Sequence, residues 1–117
     1  MNASQRKHSQ YLFNTVTIVG RAGSDCEIRY FDNGKAKGRV NLAVNRPSKN
    51  EQTDWFSIDF WDRDAEIAGE YVKKGTLVCV EGRLSINRWT DRDGNEREAP
   101  VIICSNLRLL GSRNQNN

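Results

Sequence analysis

Three tryptophans and a set of cations are the residues here with a chemistry of their own. Trp55 and Trp61 lie in "DWFSIDFWDRD", residues 54 to 64, and Trp89 lies in "SINRWT". Read as a strand, the first stretch alternates: Phe56, Ile58 and Phe60 point one way, and Trp55, Ser57, Asp59 and Trp61 the other. The first set makes an ordinary core face, so the second puts two indoles on the side facing water. Trp89 falls on the outward parity of a later strand. Around these aromatics the sequence supplies Lys35, Lys37, Arg39, Arg83 and Arg88. An indole on a basic surface can stack on any nucleobase while Lys and Arg hold the phosphates, worth about 1–3 kcal/mol per stacked base. A duplex hides those base faces, so such a surface selects single strands. Other roles for the tryptophans are capping a barrel end or lining a subunit contact.

Other chemistries find little support. Asp59, Asp62 and Asp64 could suggest a nuclease, but no metal-ligand cluster accompanies them, and Asp62 or Asp64 is better placed to cap a helix. The single histidine, His8, and the scattered Cys26, Cys79 and Cys104 do not make a metal site. The odd cysteine count argues against a disulfide framework and for a reducing compartment. Cys79 and Cys104 sit in apolar runs as small core residues. No metal, cofactor or catalysis is expected.

The elements that must position the tryptophans follow from the hydrophobic period. "NTVTIVG" alternates as a strand and is expected to run through a bend into "EIRYF". Asn33-Gly34 then predicts a type I′ hairpin turn. In "KAKGRVNLAVN", Ala36, Gly38, Val40, Leu42 and Val44 face inward, leaving Lys35, Lys37 and Arg39 on one outer face. "RPSKNEQT" is a loop, and the Trp55–Trp61 stretch is the third long strand. The period then changes: Ile67, Ala68, Tyr71 and Val72 have helical spacing, with Gly75 suited to the C′ position. "TLVCVEGRLSINRWT" returns to period two, with Val78, Val80, Leu84 and Ile86 inward and a bulge or bend expected at Gly82. Asp93-Gly94 tips a charged hairpin, and "APVIICSNLRLLG" is the last strand. The order is strand, strand, strand, helix, strand, strand. It predicts an all-β domain with one helix: a five-stranded Greek-key OB-fold barrel, the helix between strands 3 and 4. An SH3-like barrel is the competing architecture.

Length and charge set the frame. At 117 residues the chain makes one domain, expected over 14–111, with a flexible segment at 1–13 and a polar, disordered tail at 112–117. No apolar run is long enough for a membrane helix, and residues 1 to 13 lack the apolar block of a secretory signal. A cytoplasmic location is expected; the basic, acid-free start leaves an organelle as the alternative. Net charge is +3, unevenly spread: residues 51–70 carry one Lys/Arg against seven Asp/Glu, while residues 1–50 carry nine against three. A basic surface points towards polyanions.

"NTVTIVGRAGSDCEIRYFDNGKAKGRVNLAVN", "DWFSIDFWDRDAEIAGEYVKKGTLVCVEGRL" and "RWTDRDGNER" resemble, in order, the bacterial single-stranded DNA-binding protein (SSB) family, its short cyanobacterial forms above all. The likeness runs from Asn14 to Gly111. It implies an OB fold, sequence-tolerant coating of single-stranded DNA in replication, repair and recombination at the nucleoid, and a homotetramer, with a dimer as the smaller alternative. Trp55, Trp61 and Trp89 match positions where the family places base-stacking aromatics. Four departures stand out. Asn45-Arg46-Pro47 occupies the place of a further tryptophan. Cys26 stands where a proline often follows the aspartate, and Phe56 where a histidine often lies at a subunit contact. The sequence ends "SRNQNN" rather than in an acidic, Phe-tipped tail, so recruitment of partners through such a tail is not expected. A replication-restart or RNA-binding OB protein, and a purely structural oligomeric adaptor, are the competing functions.

Overall fold

The computed structural model describes residues 13–47 and 52–111. The expectations for residues 1–12, which include His8, for the loop centre at 48–51 and for the tail at 112–117 lie outside the described residues. The elements are β1 (Val16–Ala22), β2 (Glu27–Tyr30), β3 (Ala36–Asn45), β4 (Thr53–Trp61), α1 (Asp62–Tyr71), β5 (Leu77–Thr90) and β6 (Glu96–Gly111). The strands hydrogen-bond in the order β1-β5-β6-β4-β3-β2, and β1 also pairs with β3. That extra pairing closes β1, β5, β6, β4 and β3 into a ring of five. All pairs are antiparallel except β4 with β6. The helix lies between β4 and β5 in the chain. This is the expected OB architecture.

The first OB strand is interrupted rather than continuous. β1 and β2 are separate, and β3 serves both: Tyr30 through Glu27 pair with residues 36–39, and Arg21 and Ala22 with Ala43 and Leu42. Between them the chain keeps one bond to β3 and then turns towards the end of the helix. The Gly23 amide donates to Asn41 O (2.8 Å) and the Cys26 amide to Val72 O (2.9 Å).

Alternation fills the interior as the period requires. Ile58, Phe60, Leu42, Val72, Val78 and Val80 are fully buried, with Phe56 packed against them. Burying each such side chain contributes about 1.5–3 kcal/mol. Cys26 and Cys104 are buried free thiols, and desolvation pushes the Cys104 thiol up to about 11.

Four local expectations need correction. The 31–35 turn is not type I′, because Asn33 does not take positive φ. Gly34 N–H donates to Phe31 O (2.9 Å), and Gly34 alone is left-handed at φ 85°. That is a type I turn followed by a left-handed glycine, which also matches strand twist. Second, neither Asp62 nor Asp64 caps α1; the N-cap is Trp61, without a side-chain bond. Asp62 is left-handed at φ 52°, and its Oδ1 accepts from the Ala36 amide (3.1 Å), tying the end of β4 to the start of β3. Third, α1 stops at Tyr71 with Val72 as C-cap, so Gly75 (φ 90°) belongs to the following turn. Ala65, Ala68 and Val72 make the buried face, and Tyr71 is exposed.

Fourth, Leu84 and Ile86 follow the inward parity of β5 but are exposed, because the ring ends before them and β5 and β6 run on as a two-stranded ribbon. The change comes at Gly82. There the β5–β6 register shifts from Glu81↔Asn106 to Gly82↔Cys104, leaving Ser105 as the extra residue of a bulge. A Cβ at Gly82 would lie 2.1 Å from Ile103 O. Gly82→Ala should therefore force the strands apart and destabilise by about 1–3 kcal/mol. Thermal unfolding of the variant checks this; an unchanged midpoint would show that the bulge has room to spare.

Candidate nucleic-acid interface

The outer face of β2, β3 and β4 is built in rows, because residues paired across strands share a face. One row runs Arg29–Lys37–Trp61, the next Glu27–Arg39–Asp59, then Asn41–Ser57, then Ala43–Trp55. Trp55 and Trp61 are thus on one face of one strand, six residues or about 20 Å apart. The Ser57 hydroxyl and Asn41 Oδ1, 2.9 Å apart, form a polar link between them.

The two indoles have different surroundings. Trp55 is 60% exposed and lies against Gly23, where an added Cβ would come within 2.6 Å of its ring. It borders an open hollow of about 490 Å³ whose other walls include Arg21, Lys74 and Asn45. Trp61 is less available, at 36% exposed. Phe31 stacks on it with ring centroids 6.2 Å apart and planes inclined by 23°, and Lys37 Nζ stands 5.3 Å from its ring centroid. Beside it lies a hollow of about 830 Å³ lined by Glu27, Arg29, Phe31, Lys37 and Arg39 among others. Phe31 and Arg29 were not singled out in the sequence. Phe31 ends the apolar-polar run before a turn, and only the fold brings it onto Trp61.

Asp59 has the outward parity expected of it, yet it is buried (5% exposed). It lies beneath the cations. Arg39 donates to it twice, Nε to Oδ1 at 2.5 Å and Nη2 to Oδ2 at 3.0 Å, and Lys37 Nζ is 3.6 Å from Oδ2. The bonded carboxylate raises the Arg39 pKa further. Asp59, Asp62 and Asp64 do not converge on a common point of chemistry: Asp59 holds Arg39, and Asp62 holds the Ala36 amide. No group of three or more metal-ligating side chains occurs among the described residues.

Lys35 is exposed at the β2–β3 turn, next to this face. The remaining candidates lie on the ribbon. Arg83 and Trp89 share a face of β5, Trp89 being 46% exposed and directly opposite Arg97. Arg88 projects from the other face and donates to Glu98 (3.1 Å). The structure therefore groups Lys35, Lys37, Arg39 and Trp61 on the sheet, sets Trp55 farther along it, and carries Arg83 and Trp89 out on the ribbon. Arg88 is separated from Trp89 by the thickness of the strand.

Comparison with known proteins gives this arrangement a context. The model of the single-strand binding protein family matches residues 13–110. The chain belongs to that family. Its relatives include "Single-stranded DNA-binding protein 1" of Nostoc sp., 52% identical over 101 residues, covering 86% of this chain and 85% of the relative. The protein of the same name from Synechocystis sp. is 47% identical over 106 residues, with 88% of each covered. The single-stranded DNA-binding protein of Neisseria meningitidis serogroup B is 38% identical, and 63% of its length is covered.

Two kinds of substitution separate a binding role for the tryptophans from a structural one. Trp55→Ala, Trp61→Ala and Trp89→Ala should each weaken single-strand binding by about 1–3 kcal/mol with the fold retained. Gly23→Ala should do the same at the Trp55 site by displacing the ring, without removing any group that touches the ligand. Titration with oligonucleotides alongside circular dichroism checks both. Loss of the fold, or of assembly alone, would make these indoles structural.

Proposed function

We propose that this chain is a non-enzymatic protein that coats single-stranded DNA without strong sequence preference, in replication, repair and recombination. The observation carrying the reading is the display of Trp55 and Trp61 on the outer face of β4, beside Arg29, Lys37 and Arg39, in a family whose relatives are named for single-stranded DNA binding. Bases stack on the indoles and the cations hold phosphates. Lys35, Arg83 and Trp89 extend the track towards the ribbon, and Arg88 contributes from the ribbon's other side. Binding only the open form melts hairpins by mass action. No cofactor is required. The bacterial relatives support a cytoplasmic, nucleoid-associated location, and no helix among the described residues is long and apolar enough to cross a membrane.

We infer that the chain works as a homo-oligomer, a tetramer from the family resemblance. Two surfaces support assembly. β1 pairs with β5 from Val16 to Arg21 but meets β3 only at Arg21 and Ala22, so its other edge from Val16 to Gly20 has no partner among the described residues. Unpaired edges favour strand addition. Leu84 and Ile86 are exposed on one side of the ribbon.

Oligo-dT should strongly quench the intrinsic tryptophan fluorescence, and a duplex of the same length should change it far less. Tight binding with unaltered emission would remove stacking from the mechanism. Light scattering at micromolar concentration should give the mass of a tetramer; a monomer there would refute the assembly.

A further inference from the structure

The carboxylate beneath the cations has a consequence for binding, and it rests on the single-strand reading given above. The Asp59 side chain is 7% exposed, while those of Arg39 and Lys37 are 44% and 32% exposed. Taking a carboxylate this far out of water is costly unless a cation is paired with it. Arg39 provides the pairing with the Nε–Nη2 edge of its guanidinium, in the two-pronged geometry that also suits a phosphate. Lys37 Nζ, 3.6 Å from Oδ2, shares that oxygen with Arg39. Glu27 sits directly across from Arg39 on β2. The two cations and two carboxylates of this patch, Lys37, Arg39, Asp59 and Glu27, sum to zero charge, and the neighbouring Arg29 and Lys35 make it positive. The count of exposed Lys and Arg on the sheet thus overstates the charge available to a polyanion.

We propose that Asp59 is an internal counter-ion that competes with DNA phosphate for Arg39 and Lys37. It is a positioning and affinity-setting residue: it fixes Arg39 between the two tryptophans and Lys37 beside Trp61, and it lowers the number of salt counterions that binding releases. A phosphate meeting this surface has only the N–H groups of Arg39 that Asp59 leaves free, and it shares the cation's charge with that carboxylate. Stacking consequently carries a larger share of the affinity than the basic surface suggests.

The test is oligo-dT binding by the wild-type chain, Asp59→Asn, Arg39→Gln and the double variant, each from 50 to 200 mM salt. Asparagine keeps the size and one acceptor while removing the charge. Asp59→Asn should bind more tightly, with a salt slope steeper by ~0.7 for one cation released to a phosphate. This makes the variant's advantage about 2.6-fold larger at 50 mM than at 200 mM. Arg39→Gln in the wild-type background should cost much less than ~0.7 in slope, and in the Asp59→Asn background the full ~0.7. A purely structural role for Asp59 would shift the melting temperature and leave these slopes alone.

An Asp59→Asn slope equal to or shallower than the wild type's, with the wild type binding normally, overturns the proposal but not the single-strand reading. If Asp59→Asn does not fold, Arg39→Gln decides alone: a loss of the full ~0.7 overturns the proposal, and a loss near zero supports it. Failure of the wild type to bind oligo-dT overturns both.

Discussion

The register contacts between β1 and β3, Arg21 with Ala43 and Ala22 with Leu42, turn a row of strands into a ring. Everything at the candidate interface depends on that closure. A strand in a small closed barrel has one face filled by side chains and one face outside it. Once Ile58 and Phe60 are committed to the interior, parity leaves no choice for Trp55, Asp59 and Trp61. The same closure places Gly23, just beyond β1, under the Trp55 ring, so the seam of the barrel is also the floor of one aromatic site. Past the ring the constraint lapses. β5 and β6 keep their ladder without an interior to fill, which is why Leu84 and Ile86 can have inward parity and still be exposed.

Charge is organised by a second constraint, the cost of burying an ion. Asp59 could not occupy its place alone. Lys37 and Arg39 supply the compensation and are thereby held in place on the outer face, one beside an indole and one in the next row of the track. The pairing sets geometry and charge together: the cations are well placed because they are partly neutralised. The ribbon tip repeats the device at the surface. Asp91 accepts the Asn95 and Asp93 amides and pairs with Arg97, which holds its carboxyl below the usual range.

Much of this was legible in the sequence because period-two patterning is local. The strand order, the inward set in β3 and the outward tryptophans follow from alternation, and the helix from its change of period. What escaped depends on contacts distant in the chain. Asp59 reads as an exposed acid until Arg39, twenty residues earlier, is known to sit across from it. Asp62 looks like a helix cap until the Ala36 amide is found within reach of its carboxylate. The Asn33-Gly34 turn was misassigned for a narrower reason. The same dipeptide suits both a type I′ turn and a type I turn closed by a left-handed glycine, and only the backbone at Asn33 separates them. Leu84 and Ile86 show the limit of parity itself: it gives the side of a strand, not whether anything lies on that side.

The three tryptophans are alike in the sequence and unlike in the fold, and the difference bears on how a strand would be held. Trp55 is the open one, resting on glycine with Arg21 and Lys74 along the adjoining hollow. Trp61 already has an aromatic and a cation against it. A base reaching Trp61 must therefore share the ring with Phe31 or Lys37 or move one aside, which offsets part of the stacking gain. Trp89 stands on a two-stranded ribbon beyond the barrel, where fewer neighbours fix its position. Engagement that begins at Trp55 and proceeds along Asn41 and Ser57 towards Lys37 meets the least resistance first. The polar pair Asn41 and Ser57 lies between the open indole and the occupied one.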